Sequence, residues 1–216
     1  MLFFPEVRGV SRSSSLGFLL FLSLLTPAGL HSQGQRTVGV HVGRVRAEQL
    51  WEDPVAGTRS TGYTVGIQVE VATPSPVLSI RAGVAYVQRG SGVWDQELDP
   101  DRALTRNVRS HFLSLPVEGK LDLELGPLSV YLFGGPAIEM LLNTQCSQDL
   151  CPTLEDERPM VLAANIGGGL SIPIQERLWG DLEARLNEGL TRTYSSAGDG
   201  LRYRSSEILL RLRLPI

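Results

Sequence analysis

Residues 61–72 read TGYTVGIQVEVA, and apolar side chains alternate there with polar or small ones. One face carries an unbroken row of apolar side chains from Tyr63 to Val71. The opposite face carries Thr64, Gly66, Gln68 and Glu70. A repeat of two residues is typical of a β-strand with one apolar face. The stretch therefore predicts such a strand.

Seven further stretches show the same alternation and predict seven further strands. They lie within residues 36–46, 78–87, 113–123, 129–142, 162–172, 178–186 and 207–216. Each predicted strand has about 10–13 residues, and a tilted strand needs about 9–11 to cross a bilayer core. The eight strands are therefore long enough to cross a membrane.

The connections between the predicted strands alternate between short and long. Short connections fall at 73–76, 124–127 and 173–177, and longer ones at 47–60, 90–107, 143–158 and 191–200. An up-and-down barrel places alternate connections at opposite ends, and membrane barrels have short turns at one end and longer loops at the other. A Greek-key sandwich has no reason to keep this order. We therefore predict an all-β fold, an eight-stranded antiparallel up-and-down transmembrane β-barrel.

The short hairpins test this prediction, because neighbouring strands must match face to face. In the first hairpin we pair Ala72 with Val77. Gln68 then faces Arg81, and apolar side chains face apolar ones. Pairing Leu123 with Leu128 across the turn at 124–127 gives the same match. A slip of one residue would mix the two faces of each strand.

Charged side chains recur on the polar faces of the strands. The residues that we expect to form ion pairs in the barrel interior are Glu70, Arg81, Glu118, Lys120, Glu183, Arg185, Glu207 and Arg211. Charges in a narrow interior must be paired, and eight strands leave an interior that side chains can fill. We therefore expect the apolar faces to meet lipid and the interior to be plugged. The alternative is a periplasmic lipocalin-like barrel, which binds a lipid in an apolar cavity.

Residues 1–32 have the pattern of a secretory signal peptide. Arg8 and Arg12 precede the apolar run LGFLLFLSLL at 16–25, and small residues follow it. The run is too short for a membrane-spanning helix, which needs about 20 residues. We expect cleavage near Ser32, which leaves a barrel domain at residues 33–216. The alternative is a buried N-terminal helix.

Four segments in order carry a resemblance to a known family. They are 112–123 (FLSLPVEGKLDL), 130–142 (VYLFGGPAIEMLL), 164–172 (ANIGGGLSI) and 182–190 (LEARLNEGL). In that family a Leu-Pro strand precedes a Gly-Pro strand, a Gly-x-Gly strand and an Arg-x-Asn-x-Gly-Leu strand. The chain resembles the small outer-membrane β-barrel proteins that are often labelled porin family.

The resemblance implies location in the outer membrane of a Gram-negative bacterium. It also implies contact with outer-membrane lipid and lipopolysaccharide, and with the barrel assembly machinery during insertion. The four long loops would then be extracellular and open to an extracellular ligand. The expected role is structural, adhesive or one of recognition.

The cysteines and the net charge limit which other sites and partners we expect, namely a disulfide, a metal or cofactor site, and nucleic acid. Cys146 and Cys151 lie in one predicted loop, and export favours a disulfide between them over two free thiols. No histidine is nearby, so we expect no metal site, and no motif indicates a cofactor. The formal net charge is −3, which argues against nucleic acid as a partner.

A lipid A-modifying outer-membrane enzyme is a second alternative function. Such an enzyme could use His111 with Ser110 or Ser114 and a carboxylate. The sequence contains no nucleophile elbow, and we expect no enzymatic activity.

Overall fold

The computed structural model describes residues 36–50, 57–94, 105–145, 160–191, 194–196 and 199–216. The strands are β1 (Arg36–Leu50), β2 (Gly57–Ala72), β3 (Leu78–Trp94), β4 (Thr105–Leu125), β5 (Leu128–Gln145), β6 (Met160–Gln175), β7 (Leu178–Gly189), β8 (Tyr194–Ser196) and β9 (Asp199–Pro215). Within these ranges, no helix has the length and apolar character needed to cross a membrane. The segment 1–32 and both cysteines lie outside the described residues.

Eight long strands form one closed antiparallel barrel. Each strand pairs with the next along the chain, β7 pairs with β9, and β9 returns to pair with β1. The closing register runs from Thr37 opposite Pro215 to Leu50 opposite Arg202. The three-residue strand β8 pairs only with the start of β9, outside the ring. The predicted eight-stranded up-and-down barrel is confirmed, and closure leaves no free sheet edge in it.

The strands extend further toward the long connections than the alternation predicts. β3 continues to Trp94 and β4 begins at Thr105, so the predicted loop at 90–107 is in part strand. The segment TRNVRSH at the start of β4 carries few apolar side chains on either face. An alternation of apolar and polar residues cannot be detected in such a segment, although its backbone still pairs.

Both predicted hairpin registers are wrong by two residues. Ala72 pairs with Ser79 rather than with Val77, because residues 73–77 form a wider turn. Thr73 Oγ1 closes this turn by donating a hydrogen bond to the Leu78 carbonyl oxygen over 2.7 Å. A slip of two residues leaves every side chain on its original face.

The second hairpin is tighter than the predicted pairing allowed. Leu125 pairs with Leu128 around a two-residue turn, whereas the prediction paired Leu123 with Leu128. Gly126 has a φ of 68°, a left-handed conformation that glycine adopts without a steric penalty. This conformation lets β4 run two residues further before the chain reverses.

The apolar faces point outward and the polar faces point into the interior. Ile67 is 55% exposed, whereas its neighbour Gln68 is 5% exposed. Leu132, Ile166 and Ile208 continue the exposed apolar surface around the barrel. This arrangement is that of a barrel surrounded by lipid rather than by water.

An aromatic row borders the apolar surface on the side of the long connections. Three neighbouring strands each contribute one outward-facing ring to this row. These rings are Tyr63 on β2, Tyr86 on β3 and His111 on β4. The rings of Tyr63 and Tyr86 lie 5.7 Å apart, and those of Tyr86 and His111 lie 5.8 Å apart. Aromatic girdles mark the membrane interfaces of outer-membrane barrels. This row therefore marks where the lipid-facing apolar surface ends, on the side of the long connections.

Candidate functional site

The centre of the barrel interior is organised around the Glu183 carboxylate on β7. Its oxygens lie 2.8 Å from Arg81 Nη1, 2.9 Å from Arg185 Nη2 and 2.6 Å from Arg211 Nη2. The Glu183 side chain has no exposed surface. One carboxylate therefore holds arginines from three strands, and we call these four residues the central cluster.

Arg81 connects the central cluster to the opposite wall of the barrel. Its Nε lies 2.6 Å from Glu118 Oε2 on β4. Glu118 also accepts hydrogen bonds from Asn165 Nδ2 at 2.9 Å and from Gln68 Nε2 at 3.3 Å. The pairing that a buried charge requires is thus satisfied by several strands at once.

Two aromatic rings on β5 cover the charges from the side. The guanidinium carbon of Arg81 lies 3.6 Å from the Phe133 ring centroid, and Lys120 Nζ lies 4.6 Å from that of Tyr131. Both rings occupy space that glycines on β6 leave open. A Cβ at Gly167 would lie 2.4 Å from the Phe133 ring, and one at Gly169 would lie 2.5 Å from Tyr131. The Gly-x-Gly segment of the sequence is therefore what allows the aromatic rings to stack on the cations.

A second charged group lies toward the short turns. Lys120 Nζ lies 2.9 Å from Glu70 Oε1 and 2.8 Å from Asp122 Oδ1. Arg213 Nε lies 2.7 Å from Asp181 Oδ2. The Asp122 side chain is 24% exposed, so this group faces the open end of the interior.

A third charged group lies toward the long connections. Arg89 forms a bidentate ion pair with Glu139, in which Nη2 donates to Oε1 over 2.8 Å. Asn187 Nδ2 also donates to Glu139, over 3.0 Å. Glu207 lies between this group and the central cluster, 3.8 Å from Arg89 and 3.9 Å from Arg185.

An apolar cluster lines the interior near the same end. Its members are Val45, Ala47, Ala85, Val87, Phe112 and Tyr203. The rings of Phe112 and Tyr203 meet edge to face with centroids 5.6 Å apart. The Arg89 guanidinium lies 5.3 Å from the Phe112 ring centroid. The interior is thus filled by apolar side chains near the long connections and by ion pairs between these side chains and the short turns.

The eight candidate interior residues all face inward, but they do not form one site. Arg81, Arg185, Glu183 and Arg211 form the central cluster, with Glu118 attached to it. Glu70 and Lys120 belong to the group at the turns, and Glu207 lies between two groups.

Sequence analysis missed Arg89, Asp181 and Arg213 as partners. Arg89 lies two residues after Val87 on the inward side of β3, so extending the alternation would have found it. The predicted strand ended too early for that extension.

The histidine and serines proposed for an enzyme lie on opposite faces of β4. His111 points outward and its Nδ1 forms a hydrogen bond with the Tyr86 hydroxyl. Ser110 Oγ lies 3.0 Å from the Tyr203 hydroxyl inside the barrel, and Ser114 Oγ donates weakly to Glu139 over 3.5 Å. These residues therefore do not assemble a Ser-His pair. In the part of the chain that the structure describes, no cluster of His, Cys, Asp or Glu could hold a metal ion.

Comparisons with known proteins agree with this architecture. A family model described as outer membrane protein beta-barrel domain matches residues 32–195. No curated protein matches the chain.

Among solved structures, OprG from Pseudomonas aeruginosa is similar to 85% of this chain over 96% of its own length, with 9% identity and a TM-score of 0.60. Neisserial surface protein A matches 83% of this chain over 97% of its own, with 13% identity and a TM-score of 0.49. Ail of Yersinia pestis matches 83% over 99%, with 9% identity and a TM-score of 0.44. The likeness to OprG concerns the fold alone, and the family match covers most of the sequence. The chain belongs to the outer membrane protein beta-barrel domain family.

Proposed function

We propose that the protein is a small outer-membrane barrel of a Gram-negative bacterium with a structural, adhesive or recognition role. It reaches the membrane after export by the signal peptide at 1–32 and insertion by the barrel assembly machinery. The turns at 73–77, 126–127 and 176–177 face the periplasm, and the four longer connections face outward. Outer-membrane barrels have short turns on the periplasmic side and longer loops on the extracellular side, and this supports the proposed orientation.

The observation that carries the proposal is the central cluster. Glu183 and Arg81 are fully buried and already neutralise each other inside the barrel. A permeating ion would have to separate these charges or pass through the space that their side chains fill. Eight strands enclose little more space than side chains need. The barrel is therefore not an open channel, and its interior serves stability.

Any recognition of extracellular ligands then falls to the long connections. The centre of the interior is occupied by paired charges, where a lipid-binding barrel would need apolar walls. This argues against the lipocalin-like alternative. The separation of His111 from Ser110 and Ser114 by the barrel wall argues against the enzymatic one. The acidic net charge argues against nucleic acid.

Cell fractionation and planar-bilayer recording test the proposal together. We expect the protein in the outer-membrane fraction, with a folded form that migrates differently on a gel before and after boiling. The purified wild-type barrel should give no steady current. A variant with Arg81, Glu183 and Arg211 all replaced by serine should give more frequent openings, which shows that the recording detects a cleared interior. A large, steady, ion-selective current from the wild type would overturn the proposal.

A further inference from the structure

A group of arginines lies on the outer surface of the barrel, apart from the interior charges. Arg44 and Arg46 on β1 and Arg202 and Arg204 on β9 all point outward and are exposed. β1 and β9 are paired neighbours, with Glu48 opposite Arg204. We call the four arginines the rim cluster.

The rim cluster begins where the apolar surface ends. The preceding outward residue on β1, Val42, is 55% exposed and pairs with Leu210, which is 62% exposed. Arg44 follows it and lies opposite Tyr63, the first ring of the aromatic row. The aromatic row marks a membrane interface. The arginines therefore lie at the depth of lipid headgroups rather than of acyl chains.

Only part of the rim cluster is neutralised by the protein. Arg204 forms a two-point ion pair with Glu188, over 2.6 and 3.0 Å. The side chains of Arg44 and Arg46 have no ion-pair partner among the described residues. They stand two residues apart on one face, about 7 Å along the strand. Like charges so placed repel each other, and an external anion would relieve the repulsion.

Charge at the opposite end of the barrel is different. The exposed charged residues described there include both signs, with Arg36 and Arg177 balanced by Glu124 and Glu176. The excess of unpaired positive charge is thus specific to the end that carries the long connections. Arg109 on β4 is exposed at this end as well, but the four arginines of the rim cluster stand together on the paired strands β1 and β9.

We propose that the rim cluster binds a phosphate of a phosphorylated lipid in the outer leaflet, of the lipid A class. The inference rests on the proposed orientation, which puts the long connections outside. Guanidinium groups donate two parallel hydrogen bonds to a phosphate, and a fork of this kind suits Arg44 and Arg46. The apolar surface formed by Val42 and Leu210 lies directly below and accepts the acyl chains of the same lipid. Headgroup and chains are therefore held by one continuous strip along β1 and β9.

Binding of purified lipid A to the refolded full-length protein in detergent tests the proposal, with native mass spectrometry as the readout. The test variant is Arg44→Gln with Arg46→Gln. The matched control is Arg36→Gln with Arg177→Gln at the other end. The test variant should bind lipid A about tenfold more weakly or worse, as expected for the loss of charge-assisted hydrogen bonds. The control should bind like the wild type.

Two further probes identify what is recognised. Lipid A stripped of phosphate should bind the wild type as weakly as intact lipid A binds the test variant. Inorganic phosphate at millimolar concentration should not compete, because it lacks acyl chains. Equal affinity of wild type and test variant would overturn the proposal. So would equal weakening in the control, or full competition by inorganic phosphate.

Folding and location are checked separately from binding. Unchanged migration of unboiled protein shows that the test variant is folded. A second variant, Arg44→Lys with Arg46→Lys, keeps the positive charges but removes the two parallel hydrogen bonds that each guanidinium group can donate. That second variant should bind between the wild type and the glutamine variant. The binding assay uses purified protein, so its result does not depend on cell fractionation. A failure of the proposed location and a failure of this site are therefore distinguishable.

Discussion

Replacing Glu183 with glutamine removes the negative charge that holds three buried arginines. Removing one partner of a buried ion pair costs about 3–5 kcal/mol. All three arginines keep another carboxylate, because Arg81 lies 2.6 Å from Glu118, Arg211 lies 3.7 Å from Asp181 and Arg185 lies 3.9 Å from Glu207. We therefore expect the lower part of that range, about 3 kcal/mol, which is more than a hundredfold in the folding equilibrium.

Equilibrium unfolding by guanidinium in lipid vesicles measures this change. The control is Glu124→Gln at the turn end, where the carboxylate is exposed and should contribute less than about 0.5 kcal/mol. A double variant that also carries Arg211→Met should be less destabilised than the sum of the single variants, because the two side chains interact. A loss below about 1 kcal/mol for Glu183→Gln would show that the central cluster does not stabilise the barrel.

Three other predictions concern the lipid-facing surface, the glycines of β6 and the loop cysteines. Ile67→Arg, in the middle of the lipid-facing surface, should cost about 2–4 kcal/mol of folding in liposomes, whereas Leu125→Arg near the turn end should cost little; equal effects would contradict the lipid exposure of that surface. Gly167→Ala should lower the unfolding midpoint because its Cβ would lie 2.3 Å from the Ala184 carbonyl oxygen and 2.4 Å from the Phe133 ring, whereas Gly119→Ala, with its nearest neighbour at 4.0 Å, should not; a harmless Gly167→Ala would refute the packing argument. Mass spectrometry of the non-reduced mature protein should show both loop cysteines oxidised, with two hydrogens fewer than the reduced form; alkylation of both thiols without reduction would exclude the disulfide.

The faces of the strands were predictable, and their exact register was not. Alternation depends only on which side of the sheet meets lipid, so it could be seen in the sequence from Tyr63 to Val71. Register depends on turn geometry, and the closing hydrogen bond of Thr73 and the left-handed Gly126 decide it. Because each error was two residues, the predicted faces were correct although the predicted neighbours were wrong.

The partners of the interior charges were beyond sequence reasoning for a different reason. Arg81 and Glu183 are 102 residues apart in the chain. Their contact depends on the tilt and stagger of the closed barrel, which a single strand does not reveal. Arg89 was missed because outward neighbours such as Gln88 and Gly90 are not apolar, so the alternation stops before the strand does.

The contact between Arg81 and Glu183 crosses the interior, from β3 to β7, and so has a consequence for folding. A sheet of the first strands pairs Arg81 with Glu118 on β4, but a sheet that lacks β9 would carry Asp181 of β7 into the bilayer without Arg211 and Arg213. Unpaired charge inside a membrane is expensive, so partly assembled sheets are penalised until the ring closes between β1 and β9. We therefore expect insertion to be cooperative, with no stable half-barrel, because the interior ion pairs are complete only when every strand is in place.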